Sequence, residues 1–353
     1  MSGDGLPASI RRSGARGVRA VWPALRWFAR RPAFRRSRFV SLLVGWAAHR
    51  RIVQEIVHPI AAVVTPAELE AKLAECEQAA AVSDDALRQV FKTFRLAIDA
   101  RPSADPFSPD YRDWQLALYE RISGYRYGTA NEASEFDYAD AATRPFPYRA
   151  SPKVAGEHLG AIAFLISTLR LKPGARVLDM GPGWGNTSLA LAQLGFHVTA
   201  LDVEPRFCVL INDRARRAGV TIETVNTDFF WIEETEDRFD AIIFFESFHH
   251  CADPVRLLVA LPKALAPEGH VYFGAEPISP LFPMPWGVRT DGESLWAIRH
   301  HGWLELGFRD DWFREALARA GMVTSVRASA DLPGIKVWDA TAIEGTTGGR
   351  SAL

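Results

Sequence analysis

From residue 175 onward, short apolar runs alternate with stretches of helical period, and this alternation restricts the fold more than any other feature of the chain. The apolar runs are ARVLDM (175–180), HVTALD (197–202), VTIETVNTD (220–228), FDAIIFFES (239–247) and GHVYFGAEP (269–277). TSLALAQLG, PRFCVLINDRARRAG and DPVRLLVALPKAL between them predict helices. A later helix, DWFREALARAG, and two closing strands, MVTSVRAS and IKVWDATAIE, complete the series. Strands alternating with helices form a mostly parallel sheet with helices on both faces. AIIFF, apolar throughout, suits a strand buried on both faces. The expectation is an α/β fold with a doubly wound, mostly parallel, seven-stranded sheet.

The first half reads differently. TPAE at 65–68 is a capping box with proline at the first helical position, and a second helix is expected from Ser83 to before Pro102. SPDY at 108–111 starts a third, and SPKV at 151–154 opens one running to about Arg170. Residues 123–150 lack periodicity and are rich in tyrosine, so a loop or lid is expected there. This divides the chain into an arm over 1–54, a helical cap or lid region over 55–150, a sheet domain over 151–343 and a disordered tail over 344–353. The arm holds twelve arginines and one acid, a charge of +11 that leaves −12 for the remainder. With its tryptophans and phenylalanines it suits peripheral contact with an anionic membrane surface. A solvated or partner-packing arm, or contact with nucleic acid, has the same composition. Its longest apolar run, FVSLLVGWAA (39–48), is short of the roughly 20 residues that span a bilayer. The whole chain is close to neutral, so no nucleic-acid partner is expected. Cys76, Cys208 and Cys251 are far apart and fit a reducing, cytoplasmic compartment.

The sharpest motif is VLDMGPGWG, at the end of the first strand of the sheet. In doubly wound folds the ligand sits outside the carboxyl ends of the strands, where the strand order reverses. Gly181, Gly183 and Gly185 allow a turn and a close approach of ligand to backbone. A dinucleotide fingerprint, GxGxxG, would need a third glycine where Asn186 stands. Asp179, two residues before the first glycine, would also repel a pyrophosphate at the helix N-terminus. A ligand carrying an ammonium and a sulfonium tolerates that carboxylate.

VLDMGPGWG resembles motif I of the class I S-adenosylmethionine-dependent methyltransferases, a Rossmann-like family. The resemblance extends over about residues 150–343. It implies S-adenosyl-L-methionine as cofactor, bound by Asp179, Gly181, Gly183 and Gly185. Asp202, ending VTALD, stands where the family places the acid that binds the ribose hydroxyls, and a carboxylate suits a diol. Asp228 and Phe229 in NTDFF stand where the family meets adenine. FFESFHHCADP and LAPEGHVYF resemble the family's stretches at the fourth and fifth strands.

Methyl transfer is an in-line displacement, helped by a base when the acceptor is a hydroxyl. Glu246, His249, His250 and Glu276 are the candidates, all at strand ends of the same mouth, and the resemblance does not choose among them. Residues 277–308 form a long insertion with three tryptophans, and long ordered loops at this edge are usually functional. Trp286, Arg289, Asp291 and Trp296 are the candidate substrate residues, suited to a sugar or an aromatic metabolite. No metal is expected, because adjacent histidines on a strand or helix point apart and seldom chelate one ion. The reading is methyl transfer to a small-molecule or glycan-type acceptor, at oxygen. Two alternatives stay open: a dinucleotide-dependent oxidoreductase, and a non-catalytic binding module with a methyltransferase fold.

Overall fold

The computed structural model describes residues 62–98, 102–133, 136–146 and 152–343, so the arm and the tail lie outside the described residues. The first described elements are β1 (Ala62–Val64), α1 (Pro66–Ala80), α2 (Asp84–Phe91), β2 (Phe94–Leu96) and α3 (Pro109–Ser123). At the start of α1 the Thr65 backbone N–H donates to Glu68 Oε2 at 2.8 Å, which closes the capping box. The helix expected as far as Pro102 ends at Phe91. Beyond it Phe94 and Leu96 are buried and Arg95 is exposed, a period of two, and this segment pairs in parallel with β1. The expected loop over 123–150 is also partly ordered. It carries a 3₁₀ turn at Thr129–Glu132 and α4 (Tyr138–Thr143), capped by Asp137.

After α5 (Pro152–Thr168) comes the sheet. Its elements are β3 (Arg176–Met180), α6 (Asn186–Gln193), β4 (His197–Asp202), α7 (Pro205–Ala218) and β5 (Ile222–Asn226). They continue with β6 (Phe239–Phe245), α8 (Pro254–Ala260) and β7 (Leu265–Gly274). The insertion then forms β8 (Trp286–Val288), α9 (Gly292–His300) and β9 (Leu306–Phe308). The chain closes with α10 (Asp310–Arg319), β10 (Met322–Ala328) and β11 (Lys336–Ala342). The seven-stranded sheet has the order β10-β11-β7-β6-β3-β4-β5, and β11 alone runs antiparallel to its neighbours, pairing that way with both β10 and β7.

Alternation along β6 shows why the strand reads as continuously apolar. Ala241, Ile243 and Phe245 pack on one face of the sheet with Leu165, Leu191 and Ile211 from α5, α6 and α7. Ile242 and Phe244 pack on the other with Leu257 and Phe313 from α8 and α10. Both faces are covered, so neither set of positions needs to be polar. The strand order reverses between β3 and β6, which opens a crevice at their carboxyl ends. The helical region and the insertion wall this crevice together. Tyr111 Oη on α3 donates to Trp286 O at 2.8 Å, and Gln115 Oε1 accepts from the Val288 N–H at 3.0 Å.

Candidate active site

The crevice is a cleft of about 830 Å³, within the usual size of a ligand site. One half is built on the glycine turn. Gly181, Gly183 and Gly185 have φ of 71°, 54° and 75°, where a side chain is strained. A Cβ on Gly181 would stand 3.0 Å from Ser247 Cβ and 3.3 Å from the Phe229 ring. A Cβ on Gly183 would meet nothing, and both residues line the cleft. Gly185 does not line it: it caps α6 and leaves room for Ile211, whose Cγ1 would lie 2.5 Å from an added Cβ.

Asp202, at the end of β4, lines the cleft and is buried. Its Oδ2 accepts from the Gly183 N–H and its Oδ1 from the Glu204 N–H, both at 3.0 Å. Burial pushes the carboxyl up to about 7, against the pull of those two N–H groups. Each oxygen keeps a lone pair, which a vicinal diol would satisfy. Asp179 was expected to meet the ligand, but it lies beneath the turn, outside the lining of the cleft. Its Oδ2 accepts from Ser188 Oγ at 2.6 Å, and burial raises the carboxyl to about 7 despite that bond. Asp228 lines the cleft while its Oδ1 caps the next turn through the Phe230 N–H at 2.9 Å. Phe229 lines the cleft edge-on to Phe244. Asn186, in the first turn of α6, also lines it, and its buried Oδ1 finds no hydrogen-bond partner among the described residues.

The other half begins where β6 and β7 end. Glu246 and Ala275 leave those strands with φ of 52° and 57°. Non-glycine residues in this region are strained and cluster at functional sites. Glu246 Oε2 lies 3.1 Å from His158 Nδ1, and both residues face the cleft. The next turn, Phe248–His250, is wrapped on the Glu276 carboxylate. Oε1 accepts from the Ser247 and Phe248 N–H groups at 2.8 and 2.9 Å. Oε2 accepts from the His249 N–H at 3.2 Å and faces His249 Nδ1 at 2.8 Å. Glu276 therefore has no exposed side-chain area and does not line the cleft. It cannot take a substrate proton, which corrects its placement among the candidate bases. Burial alone would raise its carboxyl; His249 and the backbone N–H groups outweigh this and hold it below the usual range.

His249 and His250 both line the cleft, and their rings converge at 4.2 Å between centroids. Adjacent side chains on a strand or regular helix would diverge, whereas this short 3₁₀ turn brings them together. His249 Nε2 lies 3.9 Å from Glu305 Oε2. His250 Nδ1 lies 2.8 Å from Leu304 O and 3.3 Å from Glu132 Oε2. Burial lowers the His250 pKa, but Glu132 outweighs it and lifts the ring to about 9.

The insertion divides its expected residues. Arg289 and Trp296 line the cleft; Trp286 and Asp291 do not. Trp286 is core, with Nε1 donating to Pro106 O at 2.8 Å. Asp291 caps α9 through the Ser294 N–H and pairs with Arg289, so its carboxylate is committed to structure. Arg289 also reaches Glu305 at 3.3 Å. Glu132, Trp303 and Glu305 line the cleft with no motif of their own. The one available signal was Glu305 itself, an acid between Leu304 and Leu306 in the buried stretch that leads into β9.

Residues 177–269 match the family model of the methyltransferase domain. Those residues of the chain therefore carry a methyltransferase domain. The ubiquinone biosynthesis O-methyltransferase of Cereibacter sphaeroides is 35% identical over 96 residues, which cover 27% of this chain and 39% of that protein. The protein of that name from Xanthomonas axonopodis pv. citri is 32% identical over 111 residues, 29% of this chain and 44% of that protein. This chain thus spans about two fifths of the length of these relatives. An S-adenosylmethionine-dependent methyltransferase from Mesorhizobium loti aligns with 22% identity and a TM-score of 0.42, over 52% of this chain and 99% of that one. The methyltransferase domain match covers β3 to the start of β7, and with it the glycine turn, Asp202 and the histidine turn.

Proposed function

We propose that this protein transfers a methyl group from S-adenosylmethionine to a hydroxyl oxygen of a small-molecule acceptor with an aromatic body. The observation that carries this reading is one continuous cleft joining the glycine turn and Asp202 to the His249 corner. The residues present suit the cofactor. Gly181 and Gly183 leave space that a Cβ would fill, Asp202 has lone pairs for the ribose diol, and Asn186 offers an unpaired oxygen to an ammonium. Phe229 supplies an apolar face for adenine, and Asp228 stands beside it. When bound, the cofactor supplies an electrophilic methyl on a sulfonium.

In the other half Phe91, Tyr127, Trp296 and Trp303 wall an acceptor site. Aromatic walls take up a flat apolar body, and His249 and Glu305 receive its hydroxyl. Glu276 accepts from His249 Nδ1–H and fixes the tautomer with its lone pair on Nε2. The acceptor oxygen would take the methyl that the bound cofactor supplies, with the C–S electron pair left on sulfur. The acceptor proton passes to Nε2. Relatives named as O-methyltransferases support oxygen as the methylated atom. No helix among the described residues is long and apolar enough to cross a membrane.

Calorimetry with S-adenosylhomocysteine, with NADH in parallel, tests the cofactor half. Micromolar binding of the first alone supports the reading; binding of NADH instead overturns it in favour of the oxidoreductase alternative. Transfer of a labelled methyl to a panel of catechols and phenols tests the acceptor half. Cofactor binding without transfer to any hydroxyl would favour a binding module.

A further inference from the structure

We infer that the acceptor end of the cleft holds a divalent metal ion between His249, His250 and Glu305, where imidazole and carboxylate donors converge. One ligand atom from each residue lies within 4.8 Å of the other two. His249 Nε2 and Glu305 Oε2 stand 3.9 Å apart, a span that two bonds of about 2.1 Å bridge.

The hydrogen bonds around the histidines favour this occupant. His250 Nδ1 is 2.8 Å from Leu304 O, and a carbonyl can only accept, so the proton is on Nδ1. A neutral ring then carries its lone pair on Nε2. His249 Nδ1 meets Glu276 Oε2, a buried carboxylate that already accepts from three backbone N–H groups, and it too donates. A histidine whose Nδ1–H is held by a carboxylate or a backbone carbonyl is the usual second layer of a metal site. Here both rings have it.

The charge balance agrees. Glu132, Glu276 and Glu305 surround the corner, and Arg289, the nearby arginine, is shared between Glu305 and Asp291. A divalent cation offsets the excess of buried carboxylate, as would protonation of both histidines, and the two are separable by experiment. Two imidazoles and one carboxylate select zinc, cobalt or nickel over magnesium, which prefers oxygen. Three protein ligands leave positions open for an acceptor oxygen. With the ion bound, His249 is a ligand and the ion stabilises the acceptor oxyanion; without it, His249 is the base described above. The site rests on the acceptor reading for its role, but not for its existence.

The test is titration of the full-length, tag-free, chelator-treated protein with Co²⁺, following visible absorption. One equivalent should develop d–d bands, zinc should displace them, and magnesium should not. His249→Ala, His250→Ala and Glu305→Gln should each weaken cobalt binding by about tenfold or more while S-adenosylhomocysteine affinity stays within about threefold. Should an alanine variant fail to fold, Glu305→Gln, which keeps the side-chain shape, carries the test. Absent bands, bands unchanged in the variants, or strong thiolate-to-cobalt absorption from a cysteine would each overturn the site. Loss of S-adenosylhomocysteine binding by the unmodified protein would overturn the methyltransferase reading and leave the metal result standing.

Discussion

Replacing Glu276 by glutamine isolates a side chain that never touches a ligand. The carboxylate accepts from four N–H groups within 3.2 Å, two on each oxygen. Glutamine has one acceptor oxygen. With that oxygen under Ser247 and Phe248, its NH₂ faces the His249 N–H and the ring. The backbone N–H then loses its partner, a buried donor left unmade at about 1–3 kcal/mol. The NH₂ can pair with Nδ1 only if the ring proton moves to Nε2, which removes the lone pair that faces the acceptor. Adding the lost charge assistance, stability should fall by about 2–4 kcal/mol. Turnover should fall by about 10²–10⁴-fold, the usual worth of a positioned base. S-adenosylhomocysteine affinity should stay within about threefold, since the glycine turn and Asp202 are untouched. Denaturant unfolding, calorimetry and labelled-methyl transfer to a catechol read the three quantities. A folded variant with near-normal turnover would refute the assignment of His249's tautomer to Glu276 and remove this corner from the chemistry.

Asp202→Ala should weaken S-adenosylhomocysteine binding by about tenfold to a hundredfold, through about 1.5–3 kcal/mol of charge-assisted hydrogen bonding, and calorimetry checks it. Because the Asp202 carboxyl titrates near 7, wild-type affinity should rise about tenfold from pH 6 to pH 8 as the carboxylate forms, and Asp202→Asn should flatten that rise. Asp179 is raised by burial from its ordinary 3.8 to about 7. Over that window the folded state binds more protons than the unfolded, so ligand-free stability should fall as pH rises from about 4 to about 7. Asp202 carries the same shift, so Asp179→Asn should remove about half of the decline and the double variant with Asp202→Asn should flatten it, read as the urea midpoint at each pH. Gly185→Ala combines a left-handed φ with a contact of 2.5 Å to Ile211 and should cost about 2–4 kcal/mol, measured by thermal or urea unfolding.

The periodicity of the chain determined the sheet. Apolar runs buried on both faces and the helices between them can pack in few ways, and the six strands of one direction with the reversed β11 follow that pattern. Local chemistry also determined the caps at Thr65, Ser83 and Ser108, and the glycine turn, because each depends on residues close in sequence. Tertiary structure decided the rest. Period-two burial at Phe94 and Leu96 becomes a strand only because Ala62–Val64 lies alongside. Asp179 and Glu276 read as site residues from their positions at strand ends. Ser188 and the backbone of the histidine turn claim them instead, and only the folded backbone shows where those donors stand. Glu132, Trp303 and Glu305 reach the cleft from segments far apart in the chain, so no motif announces them. Sequence spacing argued against joint action by His249 and His250. A three-residue turn seated on Glu276 brings their rings together, because side-chain direction is set by backbone conformation and not by distance along the chain.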